Sequence, residues 1–567
     1  MKKTILTFIL ATIFVVTTTA QNYQWAKSIG TISPFGFIDD DMARSIALDA
    51  GGNIYVTGYF HETVDFDPGV GTSNLTSYGA YDVFIAKYDG NGDYLWANNV
   101  GGISFDQSIS IFVDGSGNVY VTGYFSGTAS FNPIDLNDTL TSFGSNDIFF
   151  AKYDTDGNYL WAKAVGATSF DIGISITIDD SDNVYLAGHF SGTADFDPSA
   201  STNTISAAGG TASFFAKYDL NGNYLWAKSI GSTNTYNSAN CIKIDGLGNI
   251  FMTSYFQGVA DFDPSPSIAN LTAVGGMDMV LAKYDSNGNY LWAKSVGSSN
   301  DDLGGSIAID ASNNVYVTGY YHDTVDFNPG AATNTLTSQG GSDMYIAKYD
   351  INGNYLWAKS VGGSGDDEGY SIIIDALDNV YAIGGFHGTV DFDPNAATAY
   401  LNSAGGLDMY FAKYDINGNY LWAASVGGSI GDDFVKSLAL DALGNFYVTG
   451  AFEGTVDFDP GASTSFLTSE GGVGLDAFIA KYSDVTTSIV EGNNQYSTIR
   501  IYPNPAYNQI YFSKQTNAQL CNLNGQIIVE IKNINKLDLS EQPAGIYFVT
   551  LNDENGNVLQ RSKIVKK

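Results

Sequence analysis

The word Thr63-Val-Asp-Phe-Asp-Pro68 offers the most tempting chemistry in the chain. In an extended strand Asp65 and Asp67 share one face, about 6.6 Å apart by twice the strand rise. That lies near the roughly 6.5–9.5 Å at which two carboxylates act as acid and base in an inverting glycosidase. Paired hard oxygens also suit Ca²⁺. The pair returns as Asp195 and Asp197, Asp261 and Asp263, Asp391 and Asp393, and Asp457 and Asp459. Ser130-Phe-Asn-Pro133 and Asp326-Phe-Asn-Pro329 are variants of the same word. A catalytic pair needs one tuned environment, whereas a recurring word points to a repeated structural duty. In that reading Val and Phe enter a core, and Asp before Pro caps a turn. These Asp pairs are the candidate calcium ligands, and no residue is assigned to catalysis.

Other candidates are weaker. Asp350-Ile-Asn-Gly-Asn354 resembles a calcium loop, but Gly stands fourth rather than sixth and no Glu follows at the twelfth place. A hairpin turn suits it better. His61, His322 and His387 share one repeat position and His189 replaces a strand Tyr, with no metal-ligand spacing among them. Arg44 is the only Arg before residue 500, so a clamp for acidic sugars is poorly supplied. Neither a Gly-x-Ser-x-Gly word nor a phosphate loop occurs.

The elements that carry these residues are copies of one unit. Seven Trp, at 25, 96, 161, 226, 292, 357 and 422, are spaced by 65 or 66 residues after a first gap of 71. Such a period marks one supersecondary unit repeated along the chain. Within one copy, Ser306–Asp310, Val315–Tyr321, Asp343–Tyr349 and Tyr355–Val361 alternate or are rich in β-branched and aromatic residues. Gly/Asn/Asp turns separate them, so four antiparallel strands per repeat are expected. Seven such repeats fit a β-propeller. The seventh lacks a Trp strand after Tyr482, while Tyr23-Gln-Trp25-Ala-Lys-Ser-Ile29 stands alone at the start. That strand is expected to pair with the seventh blade and latch the ring, removing its open edges.

Strand direction places the Asp-Phe-Asp-Pro connection and the loops between repeats on one face. Those loops carry Asp39-Asp40-Asp41, Asp106, Asp171, Asp301-Asp302, Asp366-Asp367-Glu368 and Asp432-Asp433. The face reads as a place for a ligand or as a solvated acidic rim. Extra residues near Ser33-Pro-Phe-Gly-Phe-Ile38, and Tyr236-Asn237 where other copies have acid, break the symmetry.

Residues 21–488 carry 15 Lys+Arg against 54 Asp+Glu, a net of −39. That charge repels phosphate backbones, so nucleic acid is excluded as a partner. Lys2 and Lys3, an apolar stretch from Ile5 to Val16 and Thr18-Thr19-Ala20 read as a signal peptide over 1–20. The apolar stretch is too short for a transmembrane span, and none longer follows. Cys241 takes a Ser position in an apolar strand, and nothing local brings it to Cys521.

The repeat, with its Ser-Ile-Ala-Ile-Asp, Asn-Val-Tyr-Val-Thr-Gly-Tyr and Ile-Ala-Lys-Tyr-Asp words, resembles the bacterial SBBP β-propeller repeat family over about residues 23–482. The resemblance implies a seven-bladed propeller at the cell surface and no defined reaction. After a polar linker at 484–499, residues 500–567 hold Tyr502-Pro-Asn-Pro505, Ala544-Gly-Ile-Tyr-Phe548 and a basic end, Lys563-Ile-Val-Lys-Lys567. Short strands between Asn/Gly turns suggest a small Ig-like β-sandwich. These words resemble the type A sorting domain of the type IX secretion system of Bacteroidetes-type bacteria. The resemblance implies export through that machinery and removal of the domain afterwards.

The expectation is thus an all-β chain: signal peptide 1–20, seven-bladed propeller 21–483, linker 484–499 and sorting domain 500–567. It is expected to act as a monomeric, non-enzymatic module, secreted or at the cell surface, that binds protein or glycan, with Ca²⁺ as the one cofactor candidate. The alternatives are a polysaccharide-active lyase or glycosidase on a propeller scaffold, and a structural surface component.

Overall fold

The computed structural model describes residues 20–30, 40–231, 236–469, 474–485, 501–502, 508–521, 527–543, 545–552 and 558–566. The signal segment before Ala20, the Ser33 to Ile38 insertion with Asp39, and all of the linker after Val485 lie outside these residues. The chain divides into two units, Met1–Thr487 and Ser488–Lys567.

In the first unit the repeats form a propeller-like series of sheets, each built on four antiparallel strands. The inner strands are Met42–Leu48, Gln107–Val113, Ile172–Ile178, Asn237–Ile244, Leu303–Ile309, Glu368–Ile374 and Phe434–Leu440. Each lies beside the inner strands of two other repeats, and Phe434–Leu440 lies beside Met42–Leu48. The second and third strands, such as Ile54–Phe60 and Asp82–Tyr88, are buried along their whole length. They are covered on both faces by neighbouring sheets, which is why they read as nearly unbroken apolar runs.

Outer strands carry the Trp. Trp96 faces Lys87, Trp161 faces Lys152 and Trp357 faces Lys348 across their ladders. In the seventh sheet the outer strand is Ala20–Ile29, which pairs antiparallel with Leu475–Val485 and sets Trp25 opposite Lys481. That pairing carries the third strand past the expected boundary at 483. Ala20 and Gln21 face Val485 and Asp484, so the ladder runs two residues further than the repeat pattern indicates. Asp484 then accepts the Trp422 Nε1–H at 2.8 Å and also binds Tyr381 and Lys413.

The core sits between successive sheets. One cluster joins Ile46, Val56, Phe60, Val64 and Phe66 of the first repeat to Ala439, Tyr447, Ala477 and Ile479 of the seventh. A repeated device fixes the connection after the second strand: the hydroxyl of each third-strand Tyr donates to the carbonyl of the connection's Phe. Tyr88 does so to Phe66 at 3.1 Å, Tyr218 to Phe196 at 3.0 Å and Tyr482 to Phe458 at 3.0 Å. Buried, each such bond satisfies a polar group that would otherwise cost about 1–3 kcal/mol.

The second unit is a five-stranded sheet of Ile501–Tyr502, Gln509–Cys521, Ile527–Asp538, Gly545–Asn552 and Val558–Lys566. Ile510, Phe512, Leu520, Leu537, Tyr547, Val549, Leu551 and Ile564 form its core. Cys241 and Cys521 are both free. Among the described residues no helix is long and apolar enough to cross a membrane.

Candidate functional site at the channel mouth

Every inner strand slips register at the same point. The ladder passes from Ala43 to Ser45, from Ser108 to Ser110, from Gly173 to Ser175 and from Ala239 to Cys241, and likewise in the remaining three repeats. The residue left over at each β-bulge is Arg44, Ile109, Ile174, Asn240, Gly305, Tyr370 or Lys436. A bulge re-aims its extra side chain out of the ladder. All seven residues line a central cavity of about 620 Å³ bounded by the seven inner strands.

The glycine of the Val-Thr-Gly-Tyr word answers this bulge. A Cβ on Gly58 would lie 1.9 Å from the Met42 carbonyl oxygen, and one on Gly319 would lie 1.9 Å from that of Leu303. The bulge presses inner-strand backbone onto the second strand, so a strand-interior Gly marks the place. Next to the bulge a Ser ties neighbouring repeats. The amide of Ile111 donates to Ser45 Oγ at 3.2 Å, that of Ile176 to Ser110 at 3.3 Å and that of Ile242 to Ser175 at 3.2 Å. Ile46 donates to Ser437 at 3.3 Å in the same way. Cys241 occupies this place in the fourth repeat.

One step before the bulges the second strands carry aromatic rings: Tyr59, Tyr124, His189, Tyr255 and Tyr320 pair with Met42, Gln107, Ile172, Ser238 and Leu303 near the start of the inner strands. His189 is buried, with Nδ1 3.0 Å from Ser238 Oγ, and burial pushes its pKa down to about 4. The cations cluster on one side. The Arg44 guanidinium carbon lies 5.7 Å from the Tyr59 ring centre. Lys436 Nζ lies 4.4 Å from the Tyr370 ring centre and 4.6 Å from that of Phe434. Burial and then the neighbouring Arg44 charge lower the Lys436 pKa to about 8, against a smaller opposing pull from Glu368. Burial raises the Tyr370 pKa, and the nearby Glu368 charge adds to it.

The acids expected to form a ligand face or solvated rim divide into two layers. Asp301, Asp366 and Asp432 are exposed. Asp41, Asp106, Asp171, Asp302, Asp367 and Asp433 are instead buried to within 2%. Their carboxylates clamp backbone: Asp106 accepts the amides of Gly102 at 2.7 Å and Ser126 at 3.0 Å, and Asp367 those of Gly363 at 2.7 Å and His387 at 3.0 Å. The solvated-rim reading is therefore corrected for this layer, because backbone amides, one of them from twenty residues further along the chain, close over these carboxylates. Burial raises Asp106 and Asp433 to about 7 and Asp171 and Asp367 to about 6. Asn237 replaces the acid in the fourth repeat and donates from Nδ2 to the Thr211 carbonyl at 3.1 Å. Beside it Tyr236 stacks on Tyr255, ring centres 5.8 Å apart.

The Asp-x-Asp words serve their own loops. Asp65 Oδ1 accepts the amides of Asp67 at 3.0 Å and Ser73 at 2.7 Å, and Asp67 Oδ1 accepts that of Gly69 at 2.9 Å. Asp195, Asp261, Asp391 and Asp457 bind their loops likewise, and Asp197, Asp263, Asp393 and Asp459 each accept the amide two residues on. Among the described residues no group of three or more His, Cys, Asp or Glu is placed to hold a metal ion. His322 and His387 hold their Nδ1 atoms 2.6 and 2.9 Å from the carbonyl oxygens of Asp301 and Asp366.

Lys436 and Tyr370 are the site residues that sequence reasoning passes over. Their signal is the contrast between a constant frame and one position that runs Arg, Ile, Ile, Asn, Gly, Tyr, Lys through the repeats.

Residues 500–567 match the family model of the secretion system C-terminal sorting domain. The tail is a sorting domain. With it the chain is an all-β secreted or cell-surface protein of the type IX secretion kind. An uncharacterised WD repeat-containing protein of Acanthamoeba polyphaga mimivirus is 26% identical over 544 residues, covering 82% of this chain and 39% of that protein. The regulatory protein FlaEY of Caulobacter vibrioides is 27% identical over 150 residues, covering 26% of this chain and 15% of its own. The chain thus spans less than half the length of these curated relatives. Among solved structures, the WD40 domain of Neurospora crassa Pan2 aligns over 77% of this chain and 88% of its own, with 9% identity and a TM-score of 0.38. PorZ, a surface component of the type IX secretion system of Porphyromonas gingivalis, aligns over 96% of this chain and 100% of its own, with 10% identity and a TM-score of 0.16.

Proposed function

We propose that the repeats form a seven-bladed propeller latched by Ala20–Ile29, which works at the cell surface as a non-enzymatic module binding protein or glycan at its channel mouth. The observation that carries this reading is the bulge position. Backbone and flanking residues recur from repeat to repeat, while the side chain aimed into the cavity changes. Recognition surfaces take that form, a rigid frame presenting variable groups. Repeated residues serve as scaffold: Asp clamps, Tyr–carbonyl bonds and Trp–Lys pairs each recur with one geometry. The strand pairing of Ala20–Ile29 and the Ile46–Ser437 bond, which copies the bonds between other neighbouring repeats, support the latched ring.

The test is a glycan and peptide array probed with the full chain, with calcium and with chelator. Binding to a defined ligand class is expected. Calcium enters the reading if chelation abolishes that binding. A blank array together with turnover of a polysaccharide would overturn the binding reading in favour of an enzyme.

A further inference from the structure

We infer that the Arg44–Lys436 corner of the channel mouth is a receptor for a carboxylate carried at the end of a ligand. The inference rests on the binding reading above and names the chemistry of what is bound. Arg44 and Lys436 come from opposite ends of the repeat region and meet because Phe434–Leu440 lies beside Met42–Leu48. Each is the extra residue of its bulge, and both line the cavity.

Among the described residues neither cation has an ion-pair partner. Arg44 Nε is buried without a hydrogen-bond partner. Of the acids nearby, Asp41 accepts the His61 amide at 2.9 Å and Asp40 the Leu475 amide at 3.4 Å, while Glu368 pulls on Lys436 more weakly than Arg44 repels it. The Arg44 charge reaches Lys436 and exceeds the opposing pull of Glu368, so a further anion is favoured at this corner. The faces of Tyr59 and Tyr370 steady the two cations. A guanidinium fork beside an ammonium suits the two oxygens of a carboxylate. The cavity, about 620 Å³, falls within the roughly 300–1,000 Å³ of small-ligand sites. The wider field of the protein is strongly negative and repels anions. Selection must therefore come from direct contact at this corner.

A terminal acidic sugar and a peptide C-terminus both present such a carboxylate, and the experiment separates them. Isothermal titration of the full chain uses D-galacturonate against D-galactose, and trialanine against its C-terminal amide. One acid is expected to bind about tenfold or more tightly than its neutral partner, the size of a charge-assisted contact. Arg44→Gln and Lys436→Gln should each remove that preference with the thermal melt preserved, and Arg44→Lys should keep part of it. A readout on the unmodified residue guards against variants that fail to fold. Saturating acid should raise the Lys436 titration midpoint, followed by NMR of methyl-labelled lysines. Equal binding of acid and neutral forms, an unmoved midpoint, undiminished binding by folded variants, or no binding by any probe overturns the carboxylate receptor. In each of those cases the array still judges the binding module by itself.

Discussion

Asp310 and Asp367 are the same residue type at opposite ends of neighbouring strands, with opposite consequences. Burial alone would raise Asp310, but the Asn314 side chain, the amides of Asn314 and Ser312, and Lys348 outweigh it, so its pKa falls. Asp367 has only two amides against deeper burial, and its pKa rises to about 6. Glycine at the strand turns is equally exacting. Gly353 has φ +73°, and a Cβ there would lie 2.9 Å from the Trp292 ring of the preceding repeat. Gly353→Ala should therefore cost about 2 kcal/mol, from left-handed strain together with the displaced indole. Urea unfolding checks this, and an unchanged midpoint would show that the turn can relax.

At the scale of elements, strand order and pairing are legible because the alternation and turn words agree in every copy. The Trp–Lys register extends even to Trp25 and Lys481, from the two ends of the unit. The bulge is harder to read, since one extra residue inside a strand looks like a break in alternation. Gly58 and its counterparts carry that signal, and it becomes decisive only when the carbonyl pressing on them is located. The Arg44–Lys436 pair is illegible for a different reason: composition counts Arg44 as solitary, and only the meeting of the first and seventh inner strands supplies its neighbour. The buried acids mislead because charge suggests exposure, while the backbone that covers them carries no sequence word of its own. Deleting residues 21–29 exposes the edge of Leu475–Val485 and strips cover from Tyr447 and Tyr482. The melting temperature should fall by several degrees, which for a unit of this size, at roughly 1 kcal/mol per degree, means losing several kcal/mol. Calorimetry showing no change would argue against the latch.

For the whole molecule the two classes of Asp set a pH profile. Asp82, Asp171, Asp278, Asp343 and Asp367 are raised to about 6, and Asp106, Asp147 and Asp433 to about 7, burial being the leading cause in each. Folded chains keep these protons where unfolded chains, with Asp near about 3.9, have lost them. The stabilisation is full below the unfolded value and drains away as pH rises through about 6 to 7. The lowered group, Asp49, Asp179, Asp310 and Asp350 among them, works the other way and loses its contribution as pH falls below the ordinary carboxylate range. The melting temperature should therefore be higher at about pH 5 than at about pH 8. A calorimetric series rising steadily towards alkaline pH would contradict this.

The bulges have one more consequence, for how such a protein can change over generations. A side chain ejected from its ladder has no cross-strand partner in that ladder, so the frame constrains it only through local contacts, such as the Asn240 bond to the Gly304 carbonyl at 2.9 Å and the Lys436 contact with Tyr370. Mutation can revise most of these positions while the strands behind them keep their pairing, with Gly305 held small by the Gly369 carbonyl and Tyr370 and Lys436 changing together. Specificity in this architecture can drift or be reset without passing through a misfolded intermediate.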